Sequence, residues 1–523
     1  MENKNISAIT RRDFLRRAAC AAVGTAAMTS AIRDLRFMNA AVAQSGIPPG
    51  DYKALVCIFL AGGNDSNNLI IPTVSGEYNN YAAIRTPVLA LPQGSVWNLQ
   101  IPGSSTGYVN PGSGTPNNYA DPAGHTYGLH PACPELAQLF YEGKLAVLLN
   151  TGTLVYPITR AQYLSGGQKP PQLFSHADQV TQWQTSVPDQ PATTGWGGRC
   201  ADLLNSVNPS SLISLSVSLA GANTFEVGNI VSQYSVSTSG AISLSGVTGA
   251  RLAALTNILG LPYPNMQAQA YAGVAEHSIN TGAILNTAIT NSAPTNFFNL
   301  AFPATITTPN GGSTFTSSLS SQLKMVARLI EAGKRAAGSP TNGFGMSRQI
   351  FFCQVGGYDL HSGQTNFSNN NPNNVLLGAH ANLFAELSQS LLVFQRAMEQ
   401  LGLQDRVTTF TSSDFGRTFP CNGVGSDHGW GSHHLVLGGS GALNSGSVLG
   451  GQTYGKLPAL TVNGPDDTGT GRWIPTMAID QYFARLATWF GVDNSNLATV
   501  FPNLGRFETV GSPPSNLAFM KTS

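Results

Sequence analysis

Four short stretches of the chain place carboxylates and imidazoles beside glycine-rich turns. Asp65 lies in AGGNDSNN, Asp359 and His361 in VGGYDLHSGQ, Asp414 in FTSSDFGRT, and Asp427, His428, His433 and His434 in SDHGWGSHH. Imidazoles with carboxylates suit Zn²⁺ or Mn²⁺, as one ion or a pair. Carboxylates alone would serve a structural Ca²⁺. A single Asp in such a setting is ordinarily a turn or helix-cap residue. Its recurrence after successive apolar runs, twice with His nearby, is what points to a divalent metal ion. The candidate ligands are Asp65, Asp359, His361, Asp414, Asp427, His428 and one of His433 and His434.

A nucleophile is available upstream in LFSHADQVTQW. Ser175 precedes a helix-like stretch, so its hydroxyl would sit at a helix N-terminus, where unpaired N–H groups favour an anion. The same position is the commonest structural place for a serine, as an N-cap. His176 either orients a ligand or caps the turn. Arg417 is a candidate oxyanion clamp, bidentate for phosphate or sulfate, or else a salt-bridged structural arginine.

These residues need strands to present them. ALVCIFL (54–60), LAVLLNTGT (145–153), QIFFCQVGG (349–357) and RVTTFTSS (406–413) read as strands, the first three as apolar runs covered on both faces. PELAQLFYEGK (134–144), LKMVARLIEAGKRA (323–336), residues 377–401 and DQYFARLATWFGV (480–492) carry helical spacing. The 377–401 helix repeats Leu383, Leu387, Leu391, Phe394, Met398 and Leu401 at intervals of three and four, and Gly402 ends it. Strands alternating with helices predict an α/β fold with a mainly parallel sheet covered by helices on both faces. The ligand crevice of such a sheet lies beyond the carboxyl ends of its strands, where Asp65, Asp359 and Asp414 fall. Two segments break the rhythm. Residues 204–250 alternate Ser and Thr with aliphatics and are expected as inserted β-hairpins; residues 291–321 form a second, polar insertion.

The N-terminus supplies a compartment. AITRRDFLRR (8–17), followed by an alanine-rich run, has the pattern of a twin-arginine (Tat) signal, with a small-residue cleavage site at Ala41, Val42 and Ala43. The chain therefore divides into a signal peptide, 1–43, and a single domain, 44–523. The alanine-rich run is too short and too weakly apolar to span the ~30 Å hydrocarbon core of a bilayer, and no other segment reads as transmembrane. The mature protein is expected in the periplasm or secreted. Losing the signal removes seven basic and three acidic residues and takes the formal charge from +1 to −3. That balance excludes nucleic acid as a partner. The five remaining cysteines are far apart, with no CxxC pair, and Cys57 and Cys353 read as buried thiols within strands. A redox role has no GxGxxG, CxxCH or cysteine cluster behind it.

AGGNDSNNLIIP, GLHPACPEL, FSHADQVTQW, GGYDLHSGQ, SSDFGRT, SDHGWGSHHLVLGG and the closing WFGV and VFPNLGRF together resemble the DUF1501 family of exported bacterial proteins, placed in the alkaline phosphatase and sulfatase superfamily. The resemblance implies an alkaline phosphatase-like fold and a two-metal site with Ser175 near the nucleophile position. By the same resemblance Asp65, Asp359, His361, Asp414 and His434, or His433, match ligand positions. Two departures stand out: His361 follows Asp359 by two residues where the superfamily spaces its pair by four, and Phe415 occupies the place of a histidine after Asp414. Asp427 and His428 could restore that pair from the next loop. Two functions follow as expectations. One is a metal-dependent hydrolase acting on phosphate or sulfate esters of a small molecule or polymer. The alternative is a catalytically inactive binding or assembly protein of the cell envelope, with a protein partner and the hydrolase fold retained.

Overall fold

A computed structural model describes residues 51–104, 118–208, 213–241, 244, 246–292, 302–308, 314–337, 342–441, 447–512 and 517–521. The segment expected as a signal peptide, 1–43, lies outside the described residues. Fifteen strands follow in order: β1 (Lys53–Leu60), β2 (Ile70–Pro72), β3 (Trp97–Asn98), β4 (Tyr127–Leu129), β5 (Leu145–Gly152), β6 (Ser216–Ser218), β7 (Tyr234–Ser237) and β8 (Gly240–Ala241). After them come β9 (Thr305–Thr307), β10 (Thr314–Thr316), β11 (Arg348–Val355), β12 (Val407–Ser413), β13 (Ser432–Leu437), β14 (Gln452–Gly455) and β15 (Met477–Ala478).

Ten of these make one α/β sheet, mixed but mostly parallel and flanked by helices, in the order β14-β5-β13-β12-β1-β11-β6-β7-β8, with β15 beside β5. β1 is central and all eight of its residues are buried, which is why KALVCIFL carries no polar alternation. Its neighbours β11 and β12 both run parallel to it. Leu60 pairs with Val355 on one side and Ser413 on the other, so all three strands end on one row. AGGND, GGYDLH and DFGRT therefore leave the sheet side by side. β13 is antiparallel to both β12 and β5, and it returns the chain from the DHGW loop into the core.

The helices keep close to their sequence patterns. The helix Ala379–Gln400 buries Phe384, Leu387, Leu391, Phe394 and Met398, and Gly402 follows it at φ +66°. Burying each such side chain stabilises the fold by ~1.5–3 kcal/mol. Ser318–Lys334 packs beside it, and Ile479–Phe490 lies against β1 and β5. No helix among the described residues is long and apolar enough to cross a membrane.

Residues 204–250 differ from their expectation as inserted hairpins. β6 joins the main sheet in parallel beside β11, and β7 continues it in parallel beside β6. Only β7 and β8 turn back as a hairpin. Leu215 and Val217 are buried, so the Ser/aliphatic alternation served a sheet strand with a core to cover. Within 291–321, β9 and β10 form a separate antiparallel pair. Cys57, Cys133, Cys200 and Cys353 are buried free thiols, and Cys421 is a half-buried one.

Candidate metal centre

The row of strand ends brings three imidazoles and a carboxylate together. His176 opens the helix His176–Thr185. Asp359 and His361 follow β11, and His428 comes from the loop between β12 and β13. His428 Nε2 lies 3.1 Å from His176 Nε2 and 2.8 Å from His361 Nε2. Asp359 completes the group: its Oδ1 is 3.2 Å from His361 Nε2 and 3.4 Å from His428 Nε2, and its Oδ2 is 3.5 Å from His176 Nε2. Ligand atoms of His176, Asp359 and His428 all lie within 4.8 Å of one another.

The other ring nitrogens explain this approach. His176 Nδ1 donates to Asp414 Oδ2 at 2.7 Å, His361 Nδ1 to Asp427 Oδ1 at 2.9 Å, and His428 Nδ1 to the Phe174 carbonyl at 2.7 Å. A neutral imidazole that donates through Nδ1 carries a lone pair on Nε2. With all three rings neutral, three lone pairs and a carboxylate face one another, an arrangement that a bound cation would stabilise. Imidazoles fixed through Nδ1 by carboxylate or carbonyl are the usual surroundings of a metal ion. Protonation is a poor substitute at His428, whose pKa is lowered by burial and by nearby His176, Arg417 and His361, against the Phe174 carbonyl.

Each supporting contact has a local cause. Asp414 is almost wholly buried, and its Oδ1 accepts from Gly62 N at 3.0 Å. Gly62 has φ +117°, and a Cβ there would lie 2.4 Å from the Asp359 backbone nitrogen, so only glycine lets β1 and β11 exit so close together. Gly63, at φ +81°, leaves room for the Phe415 ring, which a Cβ would meet at 2.4 Å. Phe415 does not face solvent. Its ring supports His176 and His428 from below, with centroids 4.8 and 4.7 Å away. Phe174 is a non-glycine residue at φ +73°, a strained conformation that the Nδ1 bond from His428 helps hold.

Burial opposes the charge on Asp359, but the Arg417 guanidinium, bonded to Oδ1 at 2.7 Å, outweighs it with help from His361 and His176 and holds the carboxyl below its usual range. Asp427 is likewise held low, because Asn422 and His361 outweigh its partial burial. The side chains of Asp359, His361 and Asp427 are nearly half exposed, so solvent reaches the centre.

Several sequence-predicted residues take other roles. Asp427 and Asp414 orient imidazoles from outside the group. Asp65 is buried and paired with Arg85, and it also accepts from Gln364 Nε2 at 2.5 Å and Asn67 Nδ2 at 3.3 Å. A permanent cation already occupies that carboxylate, and Arg85 goes on to hold the carbonyls of Thr418 and Phe419. His434 points into the core against Trp183, at 4.7 Å, and burial pushes its pKa down to about 3. His433 is also buried, its Nδ1 accepting from Asn150 N at 3.0 Å. Arg417 is bonded to Asp359 and the carbonyls of Gly62 and Ser426, and its side chain is fully buried with Nε lacking a partner, so it presents no solvent-facing fork to an oxyanion. Ser175 does not cap its helix through the side chain; its Oγ donates to Asp178 Oδ2 at 2.6 Å. His176 joins the candidate ligands although spacing did not single it out. Its only sequence signal is its place at a helix start beside the candidate nucleophile.

A protein family described as "Protein of unknown function (DUF1501)" matches residues 52–469. The chain belongs to the DUF1501 family. In this DUF1501 protein the match spans every residue of the centre, from Gly62 to His428. No curated protein matches the chain. A solved structure described as "Crystal structure of Ps i-CgsB in complex with k-i-k-neocarrahexaose" is similar over 85% of this chain and 72% of its own, at 8% identity and a TM-score of 0.30. That score is too low to bear on fold or activity.

Proposed function

We propose that the chain is an exported, metal-dependent hydrolase of phosphate or sulfate esters on an alkaline phosphatase-like fold. The observation that carries the reading is the convergence of His176, His361 and His428 through Nε2 on Asp359, each imidazole fixed through Nδ1. Three nitrogens and one carboxylate suit Zn²⁺ or Mn²⁺ better than Ca²⁺, which prefers oxygen throughout. With Asp65 committed to Arg85, one ion fits better than two. When bound, that ion supplies Lewis-acid polarisation of an ester oxygen.

The chain's own residues supply the rest. Ser175 precedes His176, and its proton already lies on a hydrogen bond to Asp178. In that arrangement Oγ attacks the ester phosphorus or sulfur, its proton passes to Asp178, and the departing alkoxide takes up a proton from solvent water and leaves as the alcohol. Water then cleaves the seryl ester. Export by the Tat route belongs to the same reading and rests on Arg11 and Arg12 in the signal pattern. The commitments of Arg417 and Asp65 favour a second reading, an envelope binding protein that keeps a cation without turnover.

Elemental analysis of protein purified without chelator, followed by a screen of phosphomonoesters, phosphodiesters and sulfate esters, separates the two. About one equivalent of Zn or Mn with turnover of one ester class is the expected result. Metal without turnover of any class favours the binding protein, and absence of transition metal overturns both the centre and the hydrolase.

A further inference from the structure

Arg472 reaches the centre from a loop far along the chain. Asp467, fully buried, ties that loop: its Oδ1 accepts from Gly471 N at 2.7 Å and Arg472 N at 2.9 Å, and its Oδ2 from Asn463 N at 2.7 Å. The Arg472 side chain then lands on two residues that hold the metal centre. Its Nε donates to the His428 carbonyl at 2.7 Å, and its guanidinium carbon lies 4.2 Å over the ring of Phe174. Phe174 is also the residue whose carbonyl fixes His428 Nδ1.

The guanidinium is therefore fixed but not used up. Among the described residues neither Nη1 nor Nη2 of Arg472 has a hydrogen-bond or ion-pair partner, and the side chain is half-buried. Its counterparts nearby are committed: Arg85 to Asp65 and two carbonyls, Arg417 to Asp359 and two carbonyls. A stacked arginine anchored through Nε alone presents its two terminal N–H groups as a pre-set fork, the geometry that takes two oxygens of a phosphate or sulfate.

We infer that Arg472 is the anion clamp of this centre, its Nη1 and Nη2 binding the non-bridging oxygens of a phosphate or sulfate group. The inference rests on the hydrolase reading for its substrate, but it predicts anion binding whether or not turnover follows. Phe174 is a positioning residue that holds the plane of the fork.

Inorganic phosphate and inorganic sulfate, titrated separately into the purified full chain by calorimetry, test it, with cation content measured in parallel. One of the two anions is expected to bind, and its identity distinguishes a phosphate site from a sulfate site. Arg472→Gln should weaken that binding by about tenfold or more and Arg472→Lys by less, since lysine keeps the charge and loses the fork. Phe174→Leu, which keeps the backbone carbonyl on His428, should weaken it by about twofold to fivefold. Cation content should stay constant in all three. Unchanged anion affinity in Arg472→Gln, no binding of either anion to the wild type, or loss of the cation from Arg472→Gln would each overturn the clamp. If Arg472→Gln does not fold, Arg472→Lys and Phe174→Leu decide, and wild-type affinity in both rejects the inference. Arg472-dependent anion binding without ester turnover would sink the hydrolase and keep the clamp; turnover with Arg472-independent anion binding would do the reverse.

Discussion

His428 Nε2 stands 3.1 Å from His176 Nε2 although each ring already donates through its other nitrogen, so two lone pairs face one another across a gap suited to a cation. The pair joins residues 252 positions apart, and the first prediction concerns them. His176→Ala should lower affinity for Zn²⁺ or Mn²⁺ by at least about 100-fold, the upper range for losing an outer partner alone. Equilibrium dialysis with elemental analysis measures this. Retention of full cation content by His176→Ala would remove His176 from the centre.

Asp427 acts one step further out. Asp427→Asn keeps the shape and weakens the bond that fixes His361 Nδ1. Cation affinity should fall by about 10- to 100-fold, with the fold intact because Asp427 is half exposed. A larger loss, equal to that of His361→Ala, would instead make Asp427 a direct ligand.

Ser175 separates chemistry from binding. Ser175→Ala should abolish ester turnover by several orders of magnitude while cation content stays the same, because Oγ contacts Asp178 and none of the imidazoles. Steady-state assays on whichever ester the screen identifies provide the readout. Wild-type turnover in Ser175→Ala would exclude a seryl intermediate.

Far from the centre, a buried acid sets a pH dependence. Glu226 is fully buried, with Asn223 donating to Oε2 at 2.8 Å, and burial raises its pKa from 4.5 to about 8. Between those values the native state keeps a proton that the unfolded chain has released. Native protein thus binds more protons, and stability falls as pH rises from about 4.5 to about 8 and then levels off. Asp480, raised to about 7 by burial, adds a slope of the same sign up to that pH. Glu226→Gln should remove its own share and gain stability over wild type at pH 8.5, by on the order of 5 kcal/mol at most. Denaturant unfolding at pH 5 and pH 8.5 measures the difference; identical pH slopes in variant and wild type would refute it.

The parallel core was legible because β1 and most of β11 are apolar runs and the helices repeat at three and four. ALVCIFL, and QIFFCQV apart from the exposed Gln354, are covered on both faces, and such burial leaves a plain mark in sequence. The site was legible only in part. Asp359, His361, Asp414, Asp427 and His428 fall at strand ends or in the next loop, where position alone flagged them. Their division into ligands and supports was not visible, since it depends on which ring nitrogen meets which carboxylate. Asp65 shares the strand-end position of Asp359, but Arg85, 20 residues on, pairs with it. His434 carries the chemistry of a ligand, but the register of β13 turns it toward Trp183. Arg472 and Phe174 had no sequence mark, because an arginine over an aromatic ring is a tertiary contact between residues 298 positions apart.

The bond from His176 to Asp414 spans 238 residues, and the four converging side chains come from three separate segments of the chain. No local piece of the polypeptide can hold the ion by itself. The group is complete only when the strands carrying Asp359 and Asp414 have both docked on β1, so a cation bound by these side chains would need that docking first. On the proposed function, the compartment in which that docking is completed would then decide which cations compete for the group.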